Sequence, residues 1–338
     1  MKKIPIGRDD FKEIIEKDFY YVDKTKIIEE ILDTGAYVSL FPRPRRFGKS
    51  LMISTIDEFF NIEKKQENKN LFRGLYIDKS KYKEEQGKYP VINLNLKSIE
   101  ANNWEAMYEK IKILFQNLYT QYLYLRETMN EIQLEQFNSI IKKEATQPEL
   151  EQSLLLLSKI LYEKYNKKVI ILIDEYDVPI QKGYLKGFYS NIVEFTKSLF
   201  NNALKTNKYI ELAIMTGVLR VSKESIFSDL NNVKTYSTVD TAYDEYFGFT
   251  EKETKELLKE YNLELTPEVK QMYNGYILGN QQIYNPWSII NYASGEEKAQ
   301  IGKEQIENKE YYRELELDRV ENILTYAVAF KGKECKVV

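Results

Sequence analysis

The stretch YVSLFPRPRRFGKS (residues 37–50) joins an apolar run to a turn rich in proline and arginine. The apolar run, Tyr37–Phe41, predicts a buried strand, and the two prolines after it predict a loop. From Ser50 onward apolar residues recur at helical spacing, which predicts a helix. The loop between strand and helix ends in Gly-Lys-Ser. This order of elements is the context in which a glycine-containing loop binds phosphate.

Such a loop binds phosphate through backbone N–H groups curled round the anion at a helix N-terminus, where the helix dipole favours negative charge. The Lys49 amine would reach the β- and γ-phosphates, and the Ser50 hydroxyl would bind Mg²⁺. The first glycine of the general G-x-x-x-x-G-K-[ST] pattern is Arg43 here, so a basic loop with an incidental Gly-Lys-Ser is the alternative. The residues expected to bind nucleotide are Arg45, Arg46, Phe47, Gly48, Lys49, Ser50 and Leu51.

A second motif, VIILIDE (residues 169–175), is an apolar strand that ends in two carboxylates, as a Walker B motif does. Asp174 would hold the hydration shell of Mg²⁺, with Ser50 as the other metal-binding residue. Glu175 would polarise the attacking water, because the chain has no histidine for that role. Taken alone, two acids at a strand end are often only a solvated terminus. Both motifs on strands, in this order, favour a magnesium nucleotide site.

Three further residues are weaker candidates. The strand that begins near Ile210 ends in Met215-Thr216-Gly217, and Thr216 stands where a γ-phosphate sensor would lie. Arg220 and Arg46 are candidates for stabilising charge in the transition state. Loop arginines are, however, more often solvated or paired with carboxylates.

Strand patterns recur at residues 90–96, 169–173 and 210–215 and alternate with helical stretches, which predicts an α/β fold with a parallel sheet. Helices near residues 104–125 and 148–165 would form an insertion between two strands. After about Tyr246 the pattern is mainly helical, and Thr250 with Glu253 predicts a capping box. We expect an α/β domain over residues 1–245, a mainly helical segment over 246–295 and a tail over 296–338, which the family resemblance described below identifies as an ATPase domain, a lid and a remnant of a further domain. The tail pattern predicts a helix over 304–317 and a strand over 323–330.

Composition excludes several kinds of site. The 338 residues include no histidine and one cysteine, Cys335, so histidine-dependent catalysis, histidine metal sites and disulfides within the chain are ruled out. Lysine and arginine total 49 against 52 acids, a net charge of −3, which does not support bulk nucleic-acid binding. The sequence has neither a signal-peptide pattern nor a membrane-length apolar run. We therefore expect a cytoplasmic protein with no membrane partner.

The phosphate-loop and acid motifs, with several shorter stretches, make the sequence resemble the AAA-ATPase-like proteins. These are relatives of archaeal-type ATPases and are usually fused to a C-terminal PD-(D/E)XK nuclease-like domain. The resemblance rests on residues 4–7, 21–25, 43–50, 173–177, 216–223, 273–276 and 284–288. It implies an ATP-binding fold with an additional strand, a helical lid, and ATP and Mg²⁺ as cofactors. It also implies that Asp23-Lys24-Thr25 lies near the nucleotide. Members of the family usually have RPRRFGK[ST] in this loop, without the first glycine of the general phosphate-loop pattern. Arg43 therefore fits the family pattern.

The tail departs from the family. It is similar to the closing helix and strand of the nuclease domain, but the metal-binding acids expected before them are missing between about Ser294 and Glu296. Glu334-Cys335-Lys336 spells Glu-x-Lys after the closing strand, a position where the family has no catalytic group. We expect a truncated remnant of that domain without nuclease activity.

Three functions are open on sequence grounds. The first is an ATP-binding protein that hydrolyses ATP with Mg²⁺; the second is a nucleotide-gated interaction module without turnover; nuclease action ranks last. The nucleotide phosphates are the expected counter-ion of the basic patch formed by Arg43, Arg45 and Arg46. A homo-oligomer, in which a neighbouring copy completes the site with an arginine, is compatible with the sequence. No protein partner can be named.

Overall fold

A computed structural model describes residues 1–205, 207–219, 226–227, 230–295, 328–331 and 334–337. Its centre is a parallel five-stranded sheet with the strand order β2-β3-β4-β1-β5. The strands are β1 (Val38–Pro42), β2 (Val91–Asn95), β3 (Val169–Asp174), β4 (Ile210–Gly217) and β5 (Val233–Thr235). The predicted α/β class is confirmed, and β4 is inserted between β1 and β3. This is the additional strand that the resemblance implied.

Both faces of the sheet are covered, which explains the continuous apolar runs. Every residue of β1 and of β3 is buried. Ile171 and Ile173 pack into the apolar cluster on one face, whereas Ile170 and Leu172 pack into the cluster on the other. Strands buried on both sides lose the alternation of polar and apolar residues that marks a half-exposed strand.

Nine helices of the described chain cover the sheet. The face that carries Ile170 is covered by α1 (Phe11–Glu16), α2 (Lys26–Thr34) and α3 (Lys49–Phe60). The other face is covered by α4 (Trp104–Thr120), α5 (Glu131–Ile141), α6 (Gln147–Glu151), α7 (Ser153–Tyr165), α8 (Val178–Lys186) and α9 (Tyr189–Phe200). Helices α4 to α7 are the insertion expected between β2 and β3. Short 3₁₀ turns span Ile62–Lys64, Tyr76–Lys79, Lys83–Glu85 and Leu123–Thr128, and a π turn spans Asn201–Lys205.

Residues 246–295, here called the lid segment, contain helices and also a small antiparallel sheet. The helices are α10 (Glu251–Glu260), α11 (Pro267–Tyr273) and α12 (Pro286–Ala293). The strands are β6 (Phe249–Thr250), β7 (Asn274–Leu278) and β8 (Gln281–Tyr284), in the order β6-β8-β7. The capping box is confirmed, because Thr250 accepts from the Glu253 N–H and the Glu253 carboxylate accepts from the Thr250 N–H.

Two short strands near the C-terminus form an antiparallel pair, β9 (Val328–Lys331) with β10 (Glu334–Val337). The last three residues of the predicted 323–330 strand lie in β9, and β10 contains Glu334-Cys335-Lys336. The predicted helix over 304–317 lies outside the described residues. No helix in the described part of the chain combines the length and apolar character needed to cross a membrane.

Candidate functional site

The predicted site residues meet at one edge of the parallel sheet. Pro42 at the end of β1 lies opposite Gly217 at the end of β4, and the Arg43 N–H donates to the Gly217 carbonyl at 2.9 Å. β3, the other neighbour of β4, ends at Asp174. Because parallel strands end at the same edge, the 43–50 loop, the acid pair and Thr216 come together there.

The backbone of the 43–50 loop has the form of an anion-binding turn. The angle φ is positive at Arg46 (67°) and at Gly48 (79°) and negative at the residues that follow each of them. Such alternation turns successive N–H groups toward one side and forms a concave nest for an anion. Gly48 is also the N-cap of α3, whose first N–H groups have no acceptor within the helix.

The Lys49 side chain is 5% exposed and folds back over this loop. Its ammonium donates to the carbonyl oxygens of Arg43 at 3.1 Å and Pro44 at 2.9 Å. Burial lowers the pKa of Lys49, and the nearby carboxylates of Glu175 and Asp174 oppose that effect. The loop therefore places a buried cation beside the acid pair.

Ser50 and Thr216 both donate to Asp174. The Ser50 hydroxyl donates to one carboxylate oxygen at 2.6 Å, and the Thr216 hydroxyl donates to the other. Asp174 is 1% exposed, and Thr216 is fully buried. The three residues come from three different segments, so the fold joins the predicted phosphate loop, acid motif and sensor position at one carboxylate.

The donor atoms of this cluster fit a magnesium ion. Mg²⁺ binds hard oxygen ligands and usually takes one or two from the protein together with substrate phosphates. Ser50 and Asp174 could supply two such oxygens. No group of three or more cysteines or carboxylates within the described residues forms a metal cage.

Glu175 is half-buried and has a left-handed backbone conformation, with φ at 54°. Burial raises the pKa of its carboxyl above the usual range, and the adjacent Asp174 raises that pKa further. Lys49 and Lys97 act in the opposite direction. A raised pKa makes the carboxylate a stronger proton acceptor.

Asp177 is a residue of the site that sequence reasoning did not assign. Its buried carboxylate accepts the N–H groups of Val218 at 3.0 Å and Leu219 at 2.7 Å. The Tyr176 hydroxyl donates to the Leu219 carbonyl at 2.6 Å. These contacts fix the chain that follows Thr216 against the end of β3. The run Asp-Glu-Tyr-Asp at residues 174–177 was the only sequence signal for this role.

Arg43 does not belong to the predicted basic patch. Its guanidinium is 1% exposed and donates to the carbonyls of Pro42 at 2.9 Å, Tyr236 at 2.6 Å and Tyr243 at 3.3 Å. Burial lowers its pKa to about 10. The side chain that replaces the first glycine of the general motif is thus turned into the segment after β5, so the patch reduces to the exposed Arg45 and Arg46.

The other predicted binding residues, Arg46, Phe47 and Leu51, contact different parts of the fold. The Arg46 guanidinium lies 4.0 Å from the centre of the Trp287 ring, and buried Phe47 packs edge-on against Tyr276 at 4.8 Å. Leu51 is half-buried against the cluster on the α3 face of the sheet. Arg220 lies outside the described residues.

The segment Asp23-Lys24-Thr25 joins other parts of the fold. The Lys24 ammonium donates to both carboxylate oxygens of Glu253, each at 2.6 Å, and to the Glu245 carbonyl. Asp23 accepts from the N–H and hydroxyl of Thr25 and from the Tyr76 N–H. None of these hydrogen bonds reaches the 43–50 loop, so the expected position beside the nucleotide gains no support from them.

Comparison with known proteins adds two findings. The AAA-ATPase-like family, described as Predicted AAA-ATPase, matches residues 5–227. An uncharacterised protein in the vnfD 5′ region of Azotobacter chroococcum mcd 1 is 29% identical over 293 residues, which cover 86% of this chain and 51% of that protein. The chain therefore spans about half the length of this curated relative.

Proposed function

Because the chain belongs to the AAA-ATPase-like family, a membership that implies nucleotide binding, we propose that it binds ATP with Mg²⁺ at the 43–50 loop and hydrolyses it. The observation that carries the proposal is the cluster in which Ser50 and Thr216 both donate to the buried Asp174. A carboxylate held by a hydroxyl of the loop and a hydroxyl of β4 is an arrangement suited to a metal-bound triphosphate.

In this proposal each residue has a defined role. The N–H groups of Phe47 to Ser50 and the Lys49 ammonium hold the phosphates, and Ser50 and Asp174 hold the ion. Mg²⁺, when bound, neutralises charge on the phosphate oxygens. Thr216 contacts the γ-phosphate.

The hydrolytic step is assigned to Glu175, which accepts a proton from water as the water oxygen bonds to the γ-phosphorus and the bond to ADP breaks. The half-burial of Glu175 and its raised pKa support this role. Arg46 and Arg220 are proposed to stabilise charge at this stage. We also propose that a second copy of the chain supplies an arginine to this site. Sedimentation with and without Mg-ATP tests whether the chain self-associates.

Calorimetric titration with Mg-ATP tests the binding site. The wild type and Lys69→Ala, a change at an exposed lysine, should bind with the same affinity. Lys49→Ala should abolish or strongly reduce binding, because it removes the buried cation of the loop. Equal binding by Lys49→Ala would mean that ATP binds elsewhere.

Glu175→Gln tests the base. This variant should bind Mg-ATP as the wild type does and should lose turnover, because the amide cannot accept the proton. Undiminished turnover would show that Glu175 is not the base.

The contacts between the 43–50 loop and the lid segment favour a second candidate, a nucleotide-gated interaction module without turnover. Here the lid segment over 246–295 would respond to nucleotide and recruit a partner. A steady-state assay of phosphate release separates the two, because binding without turnover in the wild type supports this second candidate.

A further inference from the structure

The lid segment contacts the 43–50 loop at three successive residues. The Asn285 side-chain amide approaches the Arg45 carbonyl at 3.5 Å, the Trp287 ring faces the Arg46 guanidinium, and the Gly248 N–H donates to the Phe47 carbonyl at 3.2 Å. Gly248 has φ at 91°, and a Cβ there would lie 3.0 Å from the Phe47 ring and 2.3 Å from Ile283. The lid backbone therefore packs directly against the loop.

Arg46 has the least favourable backbone of these three loop residues. A residue with a Cβ in the left-handed region is disfavoured by about 1–2 kcal/mol, and only glycine and, less often, asparagine or aspartate adopt it readily. Yet φ at Arg46 is 67°, and this angle contributes to the alternation that turns the loop N–H groups to one side. A favourable contact of the Arg46 side chain would offset that cost.

Trp287 provides such an interaction. The 4.0 Å separation between the guanidinium and the ring centre lies well inside the roughly 6 Å range of cation–π attraction. Trp287 is half-buried, but it is not a member of the three apolar clusters found among the described residues. A large aromatic side chain outside the packed core and facing an arginine is better explained by that contact than by core packing.

We propose that Trp287 is a positioning residue for the 43–50 loop: its indole holds the Arg46 guanidinium and thereby keeps Arg46 in the left-handed conformation. This inference rests on the proposed function, since the ligand whose affinity it controls is Mg-ATP. Without the indole, Arg46 relaxes toward negative φ, the N–H groups of the loop diverge, and the phosphates lose their shared donors.

The test measures the Kd of Mg-ATP by calorimetry for variants at both positions. Trp287→Leu should weaken binding about 5- to 30-fold, the range set by the cation–π contact and the backbone cost. Trp287→Phe keeps an aromatic face and should restore affinity to within about threefold of the wild type. Affinity unchanged in Trp287→Leu would overturn the proposal.

Glycine at position 46 isolates the backbone effect. Arg46→Ala keeps a Cβ but loses the guanidinium, whereas Arg46→Gly accepts the left-handed conformation without help. Arg46→Gly should therefore bind Mg-ATP more tightly than Arg46→Ala, a comparison that stays informative even if Trp287→Leu fails to fold. The reverse order contradicts the proposal.

A double variant tests whether Trp287 acts through Arg46. In the Arg46→Gly background, Trp287→Leu should change affinity by less than about twofold, because the group through which Trp287 acts is gone. A full additional loss would show that Trp287 acts independently of Arg46. Absence of Mg-ATP binding by the wild type would defeat the proposed function, whereas wild-type binding with an unaffected Trp287→Leu would defeat only this inference.

Discussion

At the scale of single residues, Arg43 shows how a motif position can change its use. The general phosphate-loop pattern has glycine here, yet the buried Arg43 guanidinium joins the end of β1 to the carbonyls of Tyr236 and Tyr243. It also lies 4.9 Å from the centre of the Phe247 ring. The side chain therefore stabilises the segment between β5 and the lid segment and does not point toward the concave face of the 43–50 loop proposed to bind phosphate.

Arg43→Gly, which restores the general motif, should therefore lower stability rather than improve binding. We expect a loss of about 2–4 kcal/mol, because a buried side chain and its hydrogen bonds to three carbonyls disappear. Urea unfolding measures the change. Arg45→Ala, at an exposed neighbour, should stay within about 0.5 kcal/mol of the wild type. Equal stability of the two variants would contradict the structural role.

Glu175 gives a prediction about pH. Its pKa is raised in the folded state, so the folded chain binds this proton more tightly than the unfolded chain and stability falls as pH rises through the folded pKa. Glu175→Gln removes the buried charge and should be more stable than the wild type at pH 7. The advantage should disappear as the pH approaches the usual carboxyl range, where both side chains are neutral. Thermal melts from pH 4 to pH 8 measure this difference, and a constant or inverted difference would contradict the assigned shift.

The sequence allowed Lys49, Ser50, Asp174 and Thr216 to be predicted as neighbours because each follows or precedes a recognisable apolar strand. It did not reveal the surroundings of Arg43 or Arg46. Their partners, Tyr236 and Trp287, lie about 190 and 240 residues further along the chain. Contacts of that separation follow from tertiary packing and leave no local periodic pattern.

At the scale of elements, the start of α10 combines two functions in one carboxylate. Glu253 caps its own helix and also pairs with Lys24, which is largely buried. This pair attaches the N-terminal part of the chain to the lid segment. Burial lowers the pKa of Lys24, and the carboxylate of Glu253 opposes that effect.

Glu253→Ala should destabilise the chain by about 2–4 kcal/mol, because it removes a cap and leaves a buried cation without its carboxylate. Glu256→Ala, on the same helix but exposed, is the matched control and should have little effect. Adding Lys24→Met to Glu253→Ala should recover part of the loss in urea unfolding. No recovery would mean that the cap alone accounts for the cost.

The strands differ in how far they could be predicted. β1, β3 and β4 are mainly apolar and were located to within about two residues. β5 is only three residues long, with Lys234 exposed at its centre, and β7 has only three apolar residues after Asn274-Gly275, so neither is long enough to give a strand pattern. Short strands at the edge of a sheet are specified by their partners more than by their own sequence.

At the scale of the whole molecule, the five-stranded sheet and the lid segment meet at the 43–50 loop. The loop begins at the end of β1, continues into α3, and contacts residues of the lid segment. A ligand held by this loop would therefore affect both parts.

Binding of a ligand at that junction should raise the melting temperature of both parts together, in a single transition. A ligand at 100 times its Kd adds about 2.7 kcal/mol, which corresponds to a shift of about 3–5 °C in a chain of 338 residues. Mg-ATP should produce this shift in the wild type and in Lys69→Ala but not in Lys49→Ala. ATP with a chelator should produce a much smaller shift, because the oxygens of Ser50 and Asp174 then have no cation through which to reach the phosphates. Equal shifts with and without Mg²⁺ would place the phosphates away from Asp174 and leave the buried Ser50–Asp174–Thr216 cluster a purely structural feature.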